Sequence, residues 1–153
     1  MKPLYIFDLD GTLALIQHRR HFVEGPSKDW YAFYAACVDD APNTPVLTVL
    51  AALRRRGADI WIFSGRSDDV RDETVEWLHK HTPFVRSQLW GPMLTMRRAG
   101  DFTPDDVLKK RWLDDMLIED RQRLVAVFED RDRMVKMWRA AGVACFQVAD
   151  GEF

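Results

Sequence analysis

Two aspartates one residue apart, Asp8 and Asp10, open the run Asp8-Leu9-Asp10-Gly11-Thr12, directly after the apolar stretch Leu4-Tyr5-Ile6-Phe7. Average residue usage produces a D-x-D-G-T string in a chain this long roughly once in a thousand. Asp and Gly favour turns on their own account, but a turn does not explain the acids and hydroxyls at other strand ends. Phosphoryl chemistry does. One carboxylate can attack phosphorus while the other serves first as acid and then as base. Ser64-Gly65-Arg66 adds a hydroxyl and a tight backbone turn able to cradle phosphate oxygens. Asp130, with Glu129 beside it, completes with Asp8 a hard oxygen-ligand set suited to Mg²⁺. Lys109 follows Asp105 by four residues on one helix face, a spacing that alone gives only a surface pair worth a few tenths of a kcal/mol. His18, His21, His79 and His81 have no evident partners and read as surface or stripe residues.

These groups need a scaffold that brings distant segments together, and the apolar pattern supplies one. Short apolar runs at 4–7, 59–63 and 124–128 read as buried strands, each stopping at polar residues. A weaker strand is expected near Ser87-Gln88-Leu89-Trp90, and a last one over 143–148. Val46, Val49, Leu50 and Leu53 recur at helical spacing before Gly57, and Val70, Thr74, Trp77, Leu78 and His81 form a second stripe. Thr103-Pro104-Asp105-Asp106 reads as a helix start: a Thr cap, Pro at the first position, acids in the first turn. That helix should turn Leu108, Trp112, Leu113, Met116 and Leu117 inward. Another carries Met134, Val135, Trp138 and Ala141. Strands alternating with helices predict an α/β fold, a doubly wound parallel sheet with helices on both faces. Ligands in such sheets bind beyond the carboxyl ends of the strands, where the acids, Ser64 and Asp130 would meet. Residues 14–43 interrupt the alternation and should form a loop with one short helix around 30–38. The segment is a small flap, too short for a separate cap domain.

Length and composition agree with one domain spanning 1–153. A chain with 47% hydrophobic and 30% charged residues is an ordinary globular one, which argues against disorder or a coiled coil. The net charge of −2 excludes a global positive field for nucleic acid, so any such contact must be local. No apolar stretch approaches the roughly 20 residues of a membrane span, and the amino terminus is too acidic for a signal peptide. Cys37 and Cys145 fit no metal spacing and suit a reduced, cytoplasmic protein.

The order Asp-x-Asp-Gly-Thr, Ser, Lys and a carboxylate pair resembles the haloacid dehalogenase superfamily. More narrowly, the chain resembles the 3′-phosphatase domain of bacteriophage-type polynucleotide kinase/phosphatase. The likeness runs from Leu4 to Phe153. Its specific stretches are residues 6–14, Ser64-Gly65-Arg66, residues 105–109, and a tail of Met137-Trp138-Arg139, Gly142, Cys145, Gln147-Val148-Ala149, Gly151 and Phe153. The resemblance implies Asp8 as nucleophile and Asp10 as general acid/base. It implies that Thr12, Arg19, Ser64, Gly65 and Arg66 hold the phosphate or the strand, and that Asp105 orients Lys109. Lys109 would neutralise the aspartyl phosphate. Asp8, Asp10 and Asp130 would hold Mg²⁺, with Glu129 standing behind them where the family pattern has aspartate. The implied substrate is a phosphorylated polynucleotide end; apart from the resemblance, Arg97 and Arg98 read equally as further contacts for it or as ordinary surface charge. No lysine follows a glycine in this chain, so no P-loop kinase motif is present.

Three other readings compete. A nucleotidase for free mononucleotides or another small phosphate ester would use the same acids. A receiver-type signalling module also phosphorylates an aspartate at a strand end, but has no need of Asp10. A binding protein without activity would not need the full set of acids.

Overall fold

The computed structural model describes residues 1–151, so Phe153, the last residue of the distinctive tail, lies outside the described residues. In chain order, β1 (Leu4–Phe7) is followed by an excursion that holds β2 (Ala14–Leu15), α1 (Trp30–Ala35) and β3 (Ala41–Pro42). Then come α2 (Thr44–Arg55), β4 (Asp59–Ser67), α3 (Arg71–His81), α4 (Arg86–Leu89) and β5 (Leu94–Arg97). The chain continues through α5 (Asp105–Asp114), α6 (Ile118–Arg123), β6 (Leu124–Glu129), α7 (Asp132–Ala140) and β7 (Cys145–Gln147). Among the described residues, no helix is long and apolar enough to cross a membrane.

The main sheet has the order β5-β4-β1-β6-β7, and every neighbouring pair is parallel. Because β1 is central, all of its sides are covered, and Leu4, Ile6 and Phe7 are fully buried. Strand periodicity sends successive side chains to opposite faces. Phe7 and Ile62 enter one core with Leu50, Val75 and Leu78 of α2 and α3. Ile6 and Phe63 enter the other with Leu113, Met134 and Trp138 of α5 and α7. Helices therefore cover both faces, as the alternation of elements predicts. The chain builds outward from β1 through β4 to β5, then crosses back to β6 and β7. The order reverses between β1 and β6, and a ligand crevice is expected beyond their carboxyl ends.

Three local expectations are corrected. Residues 86–89 are a short helix, in which the Gln88 side chain accepts the Val85 N–H (3.1 Å), and the strand lies later, at Leu94–Arg97. An apolar run this short does not separate helix from strand by periodicity. Helix α5 starts at Asp105 after Pro104, while the Thr103 hydroxyl donates to Asp101 (2.6 Å) instead of capping the helix. Leu117 is not on the inward stripe; it stands exposed beyond the end of α5.

Two features of this fold aim side chains at the crevice. The β4–β5 register shifts between Ser64 and Ser67, so Gly65 and Arg66 form an irregularity that redirects the strand end. The β2–β3 pair closes the base of the 14–43 excursion. Its helical turns then bring Arg19, Tyr34 and Asp40 back towards β4.

Candidate active site

Asp8 leaves the end of β1 with its N–H donated to Phe128 of β6 (2.9 Å). The following turn is tied by the N–H groups of Thr12, Leu13 and Ala14, all donated to the Leu9 carbonyl. That turn buries Thr12 completely and aims its hydroxyl at Asp8 Oδ2 (3.1 Å) and Asp130 Oδ1 (3.4 Å). Lys109 reaches in from α5 and donates to Asp8 Oδ1 (2.5 Å) and Glu129 Oε2 (2.9 Å). Carboxylate oxygens of Asp8, Glu129 and Asp130 all lie within 4.8 Å of one another, and all three residues are buried.

The electrostatics follow from counting charges. Three buried carboxylates face one ammonium, so the cluster is short of positive charge. Burial, then the neighbouring Glu129, pushes Asp8 up to about 7. Burial and Asp8 push Asp130 up to about 7 as well. Burial works against the charge on Lys109, but Asp8 and Glu129 outweigh it and hold the ammonium above its usual range. A divalent cation fits this donor set: hard carboxylate oxygens, too little positive charge, and no His or Cys among them.

Asp10 has a different environment. Its Oδ1 accepts from Arg19 Nη2 (2.8 Å) and Arg66 Nε (2.8 Å). Burial opposes ionisation here too, yet Arg66 and Arg19 prevail and hold the carboxyl below its ordinary range. Both guanidinium groups are enclosed and both also grip Asp40, Arg19 through Nε (2.7 Å) and Nη2 (2.6 Å), Arg66 through Nη2 (2.7 Å). Arg19 is further sandwiched by the Phe33 ring at 4.2 Å, and Arg66 donates to Thr74 (3.2 Å). Arg19 and Arg66, expected to hold the phosphate or the strand, are enclosed and turn their guanidinium groups to Asp10 and Asp40.

Asp105 also departs from expectation. It does not contact Lys109 but pairs with Arg97 and with Arg131 Nη1 (2.6 Å). Arg97, read as either a substrate contact or ordinary surface charge, is mostly enclosed by the carbonyls of Gly65 (2.9 Å), Asp101 (2.9 Å) and Thr103 (2.7 Å). Arg98 is exposed. Ser64 is buried at the strand end, its hydroxyl accepting the Arg66 N–H (3.2 Å). His18 is not idle on the surface: its Nε2 meets Asp40 Oδ1 (2.8 Å).

Asp40 is the residue the sequence reading missed. It carries no motif, and only the fold shows that it joins both arginines. The tail motif gains a physical meaning as well. Gln147 Nε2 donates to the Asp130 carbonyl (2.9 Å) and to Asp132 (2.6 Å), and Gly151 accepts the Asp132 N–H (2.8 Å). A Cβ at Gly151 would overlap the Asp130 carbonyl, and one at Gly11, already at φ +83°, would overlap the Asp130 carboxylate. Both glycines are places where Asp130 needs the space.

An open parallel sheet with an acid pair at the end of its central strand, and a lysine and second acid pair across the switch point, defines the haloacid dehalogenase-like class. Solved structures agree on the fold: a class C acid phosphatase from Bacillus anthracis with tungstate bound matches 99% of this chain and 68% of its own, at a TM-score of 0.69 and 16% identity. Within that class, residues 2–153 match the phosphatase domain of polynucleotide kinase PNKP, and the chain belongs to that family. A chain of the Pnkp1/Rnl/Hen1 RNA repair complex is similar over 99% of this chain and 44% of its own, with a TM-score of 0.78 and 30% identity. A protein of Autographa californica nuclear polyhedrosis virus, named for a bifunctional polynucleotide kinase/RNA ligase, is 30% identical over 133 residues. The chain spans 86% of itself in that match but only 17% of the viral relative's length.

Proposed function

We propose that the chain removes 3′-phosphate from polynucleotide ends, with Asp8 as nucleophile, Asp10 as general acid/base and Mg²⁺ as cofactor. The observation that carries the reading is the division of labour between two aspartates on one turn. Asp8 faces an ammonium and two further carboxylates, whereas Asp10 is held apart by two arginines. Two carboxylates with separate partners suit separate roles in one reaction. Asp8 attacks phosphorus, so that an Asp8 O–P bond forms as the ester P–O bond breaks. Asp10, which the arginines hold ionised in the free chain, takes up a proton from solvent once the anionic phosphate lies beside it and passes that proton to the departing oxygen. Asp10 then takes a proton from water, whose oxygen displaces Asp8 from phosphorus and releases inorganic phosphate. Asp8 and Asp130 would hold Mg²⁺ together with the Asp10 carbonyl, and Glu129 beside them keeps Lys109 in line. When bound, the cation would offset charge on the phosphoryl oxygens and keep both carboxyls ionised.

Lys109 supplies the fixed positive charge on the protein's side. Lys109→Ala should lower kcat about 10²–10³-fold, the usual effect of removing one group that stabilises developing charge. Lys110→Ala should leave turnover unchanged, because Lys110 pairs with exposed Asp114 on another face of the helix. Equal small losses in both variants would return Lys109 to a purely structural role.

The tail glycine gives a test of the metal. Gly151→Ala should displace Asp130 and weaken Mg²⁺ affinity about 10–100-fold, as disturbing a ligand's support typically does. Isothermal titration with Mg²⁺ reads that directly, and unaltered affinity would detach Asp130 from the metal.

The substrate is tested by a panel with Mg²⁺ and with EDTA: 3′-phosphorylated oligonucleotides, nucleoside 3′-monophosphates and sugar phosphates. Preference for the oligonucleotide, abolished by EDTA, is the expected result. Preference for the monophosphate would make the chain a nucleotidase and leave the chemistry at Asp8 standing.

A further inference from the structure

Helix α1 holds four aromatic residues in five positions: Trp30, Tyr31, Phe33 and Tyr34. The fold needs few of them. Phe33 is buried against Arg19, and Cys37 fills the same inner side, so the core-facing part of the segment is satisfied. Trp30 remains 43% exposed and Tyr31 86%. Trp30 and Tyr34 stand at i and i+4, on one side of the helix, with their rings 5.9 Å apart and inclined by 30°. The lower member of this pair touches the crevice: the Tyr34 hydroxyl donates to the Gly65 carbonyl (3.4 Å), which also accepts from Arg97. Lys28 Nζ lies 5.8 Å from the Trp30 ring, so a cation stands beside the outer member. Phe102, 86% exposed, lies between the two residues whose carbonyls hold Arg97 and adds another open ring near that arginine.

We infer that Trp30 and Tyr34 form a stacking platform for the unpaired bases of the two terminal nucleotides, with Lys28 meeting a backbone phosphate. The occupant follows from three features together. The surface is aromatic, it is continuous with the site through Tyr34, and Lys28 sets a cation over its outer ring while the neighbouring Asp29 is engaged in capping the helix. Bases stack on aromatic side chains with little regard to sequence, and a basic group tracks the backbone between them. A sugar phosphate or a bare phosphate would leave the platform empty. The inference rests on the polynucleotide reading above and names the residues that would select a strand over a small ester.

The test compares kcat/KM for a single-stranded eight-nucleotide 3′-phosphate with kcat/KM for p-nitrophenyl phosphate. It uses the DNA or RNA version, whichever the wild-type protein turns over faster. Trp30→Ala should lower the ratio of the two about tenfold, the loss of a single base–aromatic stack. Trp30→Phe, which keeps a ring, should hold the ratio within about threefold of wild type. An oligonucleotide with both terminal nucleotides abasic should cost the wild-type protein more than the loss of Trp30 alone and bring it level with Trp30→Ala, which then loses only its remaining stack on Tyr34. A general loosening of the helix would not produce that dependence on the base. If the wild-type protein prefers the oligonucleotide and Trp30→Ala keeps the preference, the platform is overturned and the polynucleotide reading stands. A loss in Trp30→Ala that is the same for intact and abasic strands also overturns it. If the wild-type protein shows no preference for the oligonucleotide, the polynucleotide reading itself falls and the platform with it.

Discussion

Asp8→Asn should have no detectable turnover, a loss on the order of 10⁴–10⁶-fold, while folding as well as the wild-type protein. The amide has no lone pair basic enough to attack phosphorus, so the first bond cannot form. Stability should survive for the same reason that the site is reactive. Burial and Glu129 push the Asp8 carboxyl up to about 7 despite Lys109, so its ionised form is the disfavoured one in the folded protein. Asparagine keeps the shape, removes that charge, and with its oxygen towards Lys109 turns its NH2 to the Thr12 hydroxyl, which can accept. The melting temperature should therefore stay level or rise. Acid quenching during turnover should trap a phosphoprotein with the wild-type chain and none with the variant. Retained turnover in Asp8→Asn would end the assignment of the nucleophile.

The parts of this site that were legible in the sequence are those carried by local pattern. An acid pair after an apolar run marks the end of a strand, and in a parallel sheet that position is also the place of the ligand crevice. Spacing alone left Lys109 as a surface partner of Asp105, and only the resemblance put it at the site, whereas the acids at Glu129-Asp130 marked the neighbouring strand end. What pattern could not supply is the pairing of charges across the fold. Arginine 11 residues after Asp8 reads as a basic residue, and nothing nearby says whether water or a buried carboxylate will meet it. Asp40 sits outside any motif, after a short turn, and becomes informative only when α3 and β4 close over it. The i,i+4 spacing of Asp105 and Lys109 put both on one face, but Arg97 and Arg131 compete for Asp105, and the lysine extends towards Asp8. The misplaced strand at 87–90 has a similar origin. Leu89 is buried from a short helix as completely as it would be from a strand.

Asp40→Ala should be the most damaging change outside the cluster of Asp8, Lys109, Glu129 and Asp130. Its carboxylate accepts from Arg19 twice, from Arg66 and from His18, and its side chain is fully enclosed. Removal leaves two buried guanidinium groups with only Asp10 between them, and an uncompensated buried charge costs about 3–5 kcal/mol. For a domain of this size that corresponds to a fall of roughly 6–20 °C in melting temperature. The functional cost should be separable from the structural one. Asp40→Asn keeps the volume and one acceptor oxygen but no counter-charge, so it should recover only part of the stability while it lets both arginines pull harder on Asp10. Turnover should remain at least about tenfold down in that variant, and the limb of its rate–pH profile set by Asp10 should shift lower, because Arg19 and Arg66 already hold the Asp10 carboxyl below its ordinary range. A protein that regains both stability and full turnover with asparagine would reduce Asp40 to a packing residue. One that regains part of the stability alone would make it the anchor that sets where, and at what pH, Asp10 works.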